Sequence, residues 1–98
     1  MNGLAPRLLC VKTLVRMEKS GSYGNLVLHA ALDASELTPQ DKRLCTALFQ
    51  GTLERLITLD ACIAAHVKRK PEQLDAEVRG VLRCGIYELL HLSTPESA

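Results

Sequence analysis

Apolar residues recur every three or four positions along almost the whole chain, and nowhere do apolar and polar residues alternate for more than a few positions. A period near 3.6 gathers such residues on one face of a helix, whereas a half-buried strand needs a period of two. Leu and Ala dominate, and aromatic residues make up only 3% of the chain. Leu and Ala are strong helix formers, so composition and periodicity agree on an all-α bundle. At 98 residues the chain has room for one domain, read as spanning residues 1–98. Such a chain buries only about 60–65% of its unfolded surface. A doubly wound dinucleotide or methyl-donor fold needs more chain than this, so a complete enzyme is not expected.

Five helical segments can be drawn. The first runs from about Leu4 to Lys19, with Pro6 tolerated in its opening turn and Gly21 as the stop. Its apolar stripe is Leu4, Leu8, Val11, Leu14 and Val15. Ser22 is a candidate N-cap for a second helix, about Tyr23 to Ala34, apolar on nearly every side and therefore expected near the centre of a bundle. Thr38-Pro39-Gln40-Asp41 opens the third with a capping hydroxyl, Pro at the first helical position and an acid at the third. Leu44, Cys45, Leu48, Phe49, Thr52, Leu53 and Leu56 follow at helical spacing. Gly51 inside this run costs roughly 1 kcal/mol against Ala, so it is expected to serve close helix packing or a bend.

The fourth segment, about Ile57 to Val67, is either separate from the third or kinked away from it, and Lys68-Arg69-Lys70-Pro71 closes it. Asp75 is the expected N-cap of the fifth, about Ala76 to Leu92, with Val78, Val81, Leu82, Gly85, Leu89 and Leu92 as its stripe. Ser93-Thr94-Pro95-Glu96 reads as a further helix start, and its position close to Ala98 suggests a domain truncated at its C-terminus. Removing part of a bundle uncovers apolar faces, so self-association through them is expected.

Cys10, Cys45, Cys62 and Cys84 contain no C-x-x-C pair. Charges at Arg7, Lys12, Arg16, Glu18 and Lys19 fall where the apolar core of a signal peptide would lie. No apolar run reaches the roughly 18 residues of a membrane span. The cysteines therefore read as reduced core residues of a cytoplasmic protein. Cys62 and His66 lie four apart on one face but have no matching pair of ligands for a tetrahedral zinc site, so no metal is assigned. No phosphate-cradling G-x-G-x-x-G or G-x-x-x-x-G-K-[ST] loop is present, and no cofactor is expected for this chain. Asp60 and Glu88 sit in or beside apolar stripes, where each is expected to accept a hydrogen bond from a neighbouring helix end or to reach out to solvent rather than catalyse.

Twelve Lys and Arg against eleven Asp and Glu leave a net charge of +1, which excludes a polybasic arm but not a local basic face. Lys12, Arg16 and Lys19 form a stripe about one-sixth of a helix circumference wide, Arg7 opens the same helix, and Arg79 and Arg83 are an i, i+4 pair on the last. These six residues are ordinary solvated charge or phosphate contacts; each phosphate contact adds salt-dependent, largely sequence-independent affinity. Phe49, Tyr23 and Tyr87 read as structural, so any RNA would be held by backbone and shape rather than by stacked bases.

Asp41 to Ile63 (D-K-R-L-C-T-A-L-F-Q-G-T-L-E-R-L-I-T-L-D-A-C-I) and Leu74 to Leu90 (L-D-A-E-V-R-G-V-L-R-C-G-I-Y-E-L-L) resemble the core of NusB-like domains. Gly51, Asp60, Ile63, Asp75, Leu82-Arg83 and Tyr87-Glu88-Leu89 occupy the positions of that family's pattern, and the resemblance runs from Arg7 to Ala98. Gly21 to Leu28 (G-S-Y-G-N-L-V-L) is most similar to the N-terminal domain of the Sun/Fmu family of ribosomal RNA (cytosine-5-)-methyltransferases, with Gly24 where that branch often has Ser. The resemblance implies a NusB-like bundle of about five helices that binds or positions ribosomal RNA. A downstream catalytic domain of the parent would then transfer a methyl group from S-adenosylmethionine to cytosine in small-subunit RNA. Of the arginine-rich start through which NusB contacts RNA, Arg7 is present. None of the four cysteines follows a proline, as the family's catalytic motif requires, so this segment should carry no activity. The alternatives are a stand-alone transcription antitermination factor of the same fold and a structural module that packs on a catalytic domain without touching RNA.

Overall fold

A computed structural model describes residues 3–21 and 24–92. It contains α1 (Leu4–Ser20), α2 (Asn25–Ala34), α3 (Pro39–Glu54), α4 (Leu56–Val67) and α5 (Ala76–Tyr87). A single 3-10 turn (Pro71–Gln73) precedes α5, and a π turn (Glu88–Leu92) extends it. No strand occurs among the described residues, so the chain is all-α. Nor is any described helix long and apolar enough to cross a membrane.

Local chemistry sets the boundaries. Gly21 ends α1 with φ 74°, and its N–H donates to Met17 O at 3.0 Å, an αL closure that glycine adopts without steric penalty. Thr38 Oγ1 accepts from the Asp41 N–H at 3.1 Å, with Pro39 at the first helical position. Arg55, at φ −122° and ψ 24°, separates α3 from α4, so the two are distinct helices and the break lies four residues beyond Gly51. Gly51 instead serves packing: a Cβ there would collide with Cζ and Oη at the phenol end of Tyr87. Asp75 stands at the N-cap of α5, but its side chain makes no capping bond; its carbonyl accepts from Arg79 N at 2.8 Å. The expected caps at Ser22 and at Ser93-Thr94-Pro95 lie outside the described residues.

α1 packs against α2, α3 and α5, and the core forms where they meet: Cys10, Leu14, Met17, Leu28, Cys45, Leu48, Phe49 and Cys84. Burying a side chain such as Phe49 or Leu48 contributes about 1.5–3 kcal/mol. Leu59 and Ile63 of α4 are also fully buried.

Two expectations about burial are corrected. The nearly all-apolar α2 lies at the rim: only Leu28 and Ala31 are buried, and Leu26 is 82% exposed. It rests mainly on α1 and α3 along one side. The apolar stripes read on α1 and α5 are also only partly buried. α1 turns Cys10, Leu14 and Met17 inward, and α5 turns in Gly80 and Cys84. Leu4, Leu8, Val78, Val81 and Leu89 therefore remain exposed, and Leu4, Leu8 and Val81 line one open groove with Gly85.

Candidate nucleic-acid interface

Successive residues of a helix are 100° apart, so positions 12, 16 and 19 fall within about 60° of one another and span roughly 10 Å of axis. α1 is buried on the side of Cys10, Leu14 and Met17, which leaves Lys12, Arg16 and Lys19 exposed. None of the three has an ion-pair or hydrogen-bond partner among the described residues. Beside them runs an open groove of about 500 Å³, floored by Val11 and Val15 of α1 and bounded across from the stripe by Glu77 of α5. Arg16 also borders a second depression, between α1 and α2, with Leu26, Val27 and Ala30.

The other three arginines are held differently. Arg83 donates Nε and Nη2 to the two Asp60 carboxylate oxygens, each at 2.8 Å, and Nη1 to Glu18 Oε2 at 2.8 Å. Arg79 donates Nε and Nη2 to Glu18 at 3.0 and 2.5 Å. Its Nη1 donates to the carbonyls of Pro71 and Leu74 at 2.9 and 2.7 Å. Glu18 thus sits between two guanidinium groups, and the set ties α1, α4 and α5 together. Paired, planar donation of this kind is the strong form of the carboxylate contact. Arg79 holds the Glu18 carboxyl below its usual range, against burial and with help from Arg83.

At the other end of α1, Arg7 Nε donates to both Glu88 oxygens at 2.9 and 3.1 Å, and Nη2 also pairs with Glu88. Arg7 Nη1 donates to Gly3 O at 2.6 Å. The Arg7 guanidinium correspondingly lowers the Glu88 carboxyl. Contrary to the expectation of helix-end donors, Asp60 and Glu88 accept from the side chains of Arg83 and Arg7. Of the six cations singled out in the sequence, the structure brings Lys12, Arg16 and Lys19 together as an open stripe. Arg7, Arg79 and Arg83 form clasps between helices.

The four cysteines are free thiols; Cys10, Cys45 and Cys84 are buried and Cys62 is half-buried. Cys62 Sγ lies 3.7 Å from His66 Nδ1, which is also 3.0 Å from the Cys62 carbonyl oxygen. The described residues contain no group of three or more His, Cys, Asp or Glu placed to hold a metal.

These features define a class: an all-α helical bundle with an unpaired basic stripe on its first helix. The NusB family model matches residues 4–98, and the chain belongs to that family. It is 38% identical over 90 residues to the ribosomal RNA small subunit methyltransferase B of Thermus thermophilus, an alignment covering 92% of this chain and 22% of that protein. With the probable ribosomal RNA small subunit methyltransferase B of Bacillus subtilis it shares 29% identity over 92 residues, 94% of this chain and 20% of the relative. With the transcription antitermination protein NusB of Maricaulis maris it shares 33% over 97 residues, 89% of this chain and 61% of the relative. The chain therefore spans about a fifth of the length of the methyltransferases it matches. No solved structure gives a significant match.

Proposed function

We propose that this chain is a non-catalytic RNA-holding module that positions ribosomal RNA for a methyltransferase domain in the same parent protein. The observation that carries this reading is the unpaired Lys12–Arg16–Lys19 stripe. Three cations at one-turn intervals can track a phosphate backbone, each adding counterion-release affinity without reading bases. Glu77 on the far wall of the groove repels phosphate there, so the backbone rides on α1 and does not settle into the groove. Arg7, Arg79 and Arg83 support this surface by fixing α1 against α5, and Arg7 keeps an outer edge, 40% exposed, that can reach a neighbouring phosphate. In the parent, S-adenosylmethionine and the cytosine chemistry belong to the catalytic domain. The setting for such RNA work is the cytoplasm.

The test is amide chemical-shift mapping of the 98-residue chain with a small-subunit ribosomal RNA hairpin. Shifts clustered around residues 12–19 support the reading. Shifts confined to α4, or none at all, sink it. The second reading, an antitermination factor, is favoured by the match to the Maricaulis maris protein. The sequence encoded after residue 98 separates the two. A glycine-rich donor loop and a Pro-Cys motif support the methyltransferase parent, and a stop within some tens of residues supports the factor.

A further inference from the structure

Three of the four cysteines come from distant parts of the chain and meet in the core where α1, α3 and α5 pack. Cys10 Sγ and Cys84 Sγ, 74 residues apart in sequence, lie 3.0 Å from each other, closer than ordinary packing of two sulfur atoms. The pair is not sealed from both sides. Cys10 is fully buried, but Cys84 is 6% exposed and borders the open α1–α5 groove, about 200 Å³, beside Leu8, Val81, Gly85 and the Arg7–Glu88 clasp. Apart from its chain neighbours and its own helix backbone, no described residue places a heavy atom within 4 Å of where a Gly85 Cβ would stand.

The surroundings also differ between the thiols. The sulfur–sulfur contact with Cys10 lowers the Cys84 thiol, against burial and the Glu88 charge. The Thr52 hydroxyl has no close hydrogen-bond partner among the described residues and is near enough to lower Cys84 further. Cys10 moves the opposite way, and burial pushes the Cys45 thiol up to about 11. The thiolate is the nucleophilic form of cysteine, and of the pair it is Cys84 that borders the groove, so it is the sulfur an entering oxidant meets first.

We infer that Cys84 and Cys10 form a two-electron oxidation site, in which the Cys84 thiolate attacks hydrogen peroxide entering through the groove and Cys10 then closes a disulfide between α1 and α5. The Cys84 thiolate attacks one peroxide oxygen; the O–O bond breaks, hydroxide leaves and takes up the thiol proton as water, and Cys84 becomes a sulfenic acid. The Cys10 sulfur then attacks the Cys84 sulfur, the S–O bond breaks, and the departing oxygen leaves as water with the Cys10 proton. Two thiols have lost two electrons and one peroxide has become two waters. The link would lock the helix that carries the basic stripe onto the helix that braces it.

The 98-residue chain, reduced and then treated with hydrogen peroxide under native conditions, should lose two hydrogen atoms in intact mass and yield a Cys10–Cys84 cross-linked peptide. Closing so long a loop should raise Tm by roughly 10–30 °C, reversed by dithiothreitol. Cys62→Ala should leave this unchanged. In Cys10→Ala, dimedone should trap a sulfenic acid at Cys84. The inference is overturned by oxidation confined to Cys62, by a link through Cys45, or by over-oxidation of Cys84 with no link. Peptide mapping of the unmodified sequence decides among these without any variant.

Discussion

Replacing Gly51 by Ala tests whether this glycine exists to admit Tyr87. In an exposed helix interior the change is favourable by about 1 kcal/mol, because Gly has more conformational entropy to lose. Here the new Cβ would overlap Tyr87 Cζ and Oη, and would lie 2.6 Å from Cε2, where carbon atoms normally keep about 3.5–4.0 Å. Relief requires the ring to swing out or α3 and α5 to separate, and overpacking of this order costs about 1–3 kcal/mol. The ring packs against the core and lies 5.1 Å from the His91 ring, so it cannot leave without losing contacts. The net expectation for Gly51→Ala is destabilisation of up to about 2 kcal/mol, read by urea unfolding. In a Tyr87→Ala background the clash is gone and only the helical gain remains, so the same substitution should stabilise by about 1 kcal/mol. A cycle in which Gly51→Ala has the same effect in both backgrounds would refute the argument.

Thr38→Ala should lower stability by about 1 kcal/mol through loss of the cap on Asp41 N, while Thr38→Ser should nearly preserve it; thermal unfolding of the pair checks this. Arg83→Ala should cost about 1–2 kcal/mol, more than an exposed ion pair, because the Arg83 side chain is 12% exposed and its loss leaves the half-buried Asp60 without its paired donors. Arg83→Ala/Asp60→Ala should recover part of that loss, and a strictly additive double variant would contradict the pairing. Glu18 and Glu88 titrate below their ordinary 4.5 in the folded chain. Their contribution is therefore complete above that value and lost as pH falls through the lowered values. Urea unfolding from pH 7 to 3 should show a plateau and then a decline below about pH 4.5, shallower in Glu18→Gln.

Where structure depends on neighbours in sequence, it was legible. Thr38-Pro39, Gly21 and the Lys68–Pro71 run mark helix ends because caps and breakers act over one turn. The all-α class followed from periodicity for the same reason. Burial depends on what packs from elsewhere, and there reading failed: α2 is apolar all round yet sits at the rim, and Leu8 and Val81 face an open groove. The basic residues divide along the same line. The stripe of Lys12, Arg16 and Lys19 is a property of one helix. The partners of Arg79 and Arg83, Glu18 and Asp60, lie 61, 65 and 23 residues away, and those of Arg7 and Cys10 lie 81 and 74 away. No local signal separates such a clasped arginine from a free one.

The central claim is that phosphate is held by the unpaired stripe and not by the clasped arginines. Its most direct test is the dependence of affinity on salt for a structured ribosomal RNA fragment, measured for the unmodified chain, for Lys12→Ala/Arg16→Ala/Lys19→Ala and for Arg79→Ala. Each phosphate contact contributes about 0.7–0.9 to the slope of log K against log salt. The triple variant should therefore flatten the slope by about 2–3, and Arg79→Ala should leave it within about half a unit of the original. An unchanged slope in the triple variant, or an equal loss in Arg79→Ala, would contradict the account.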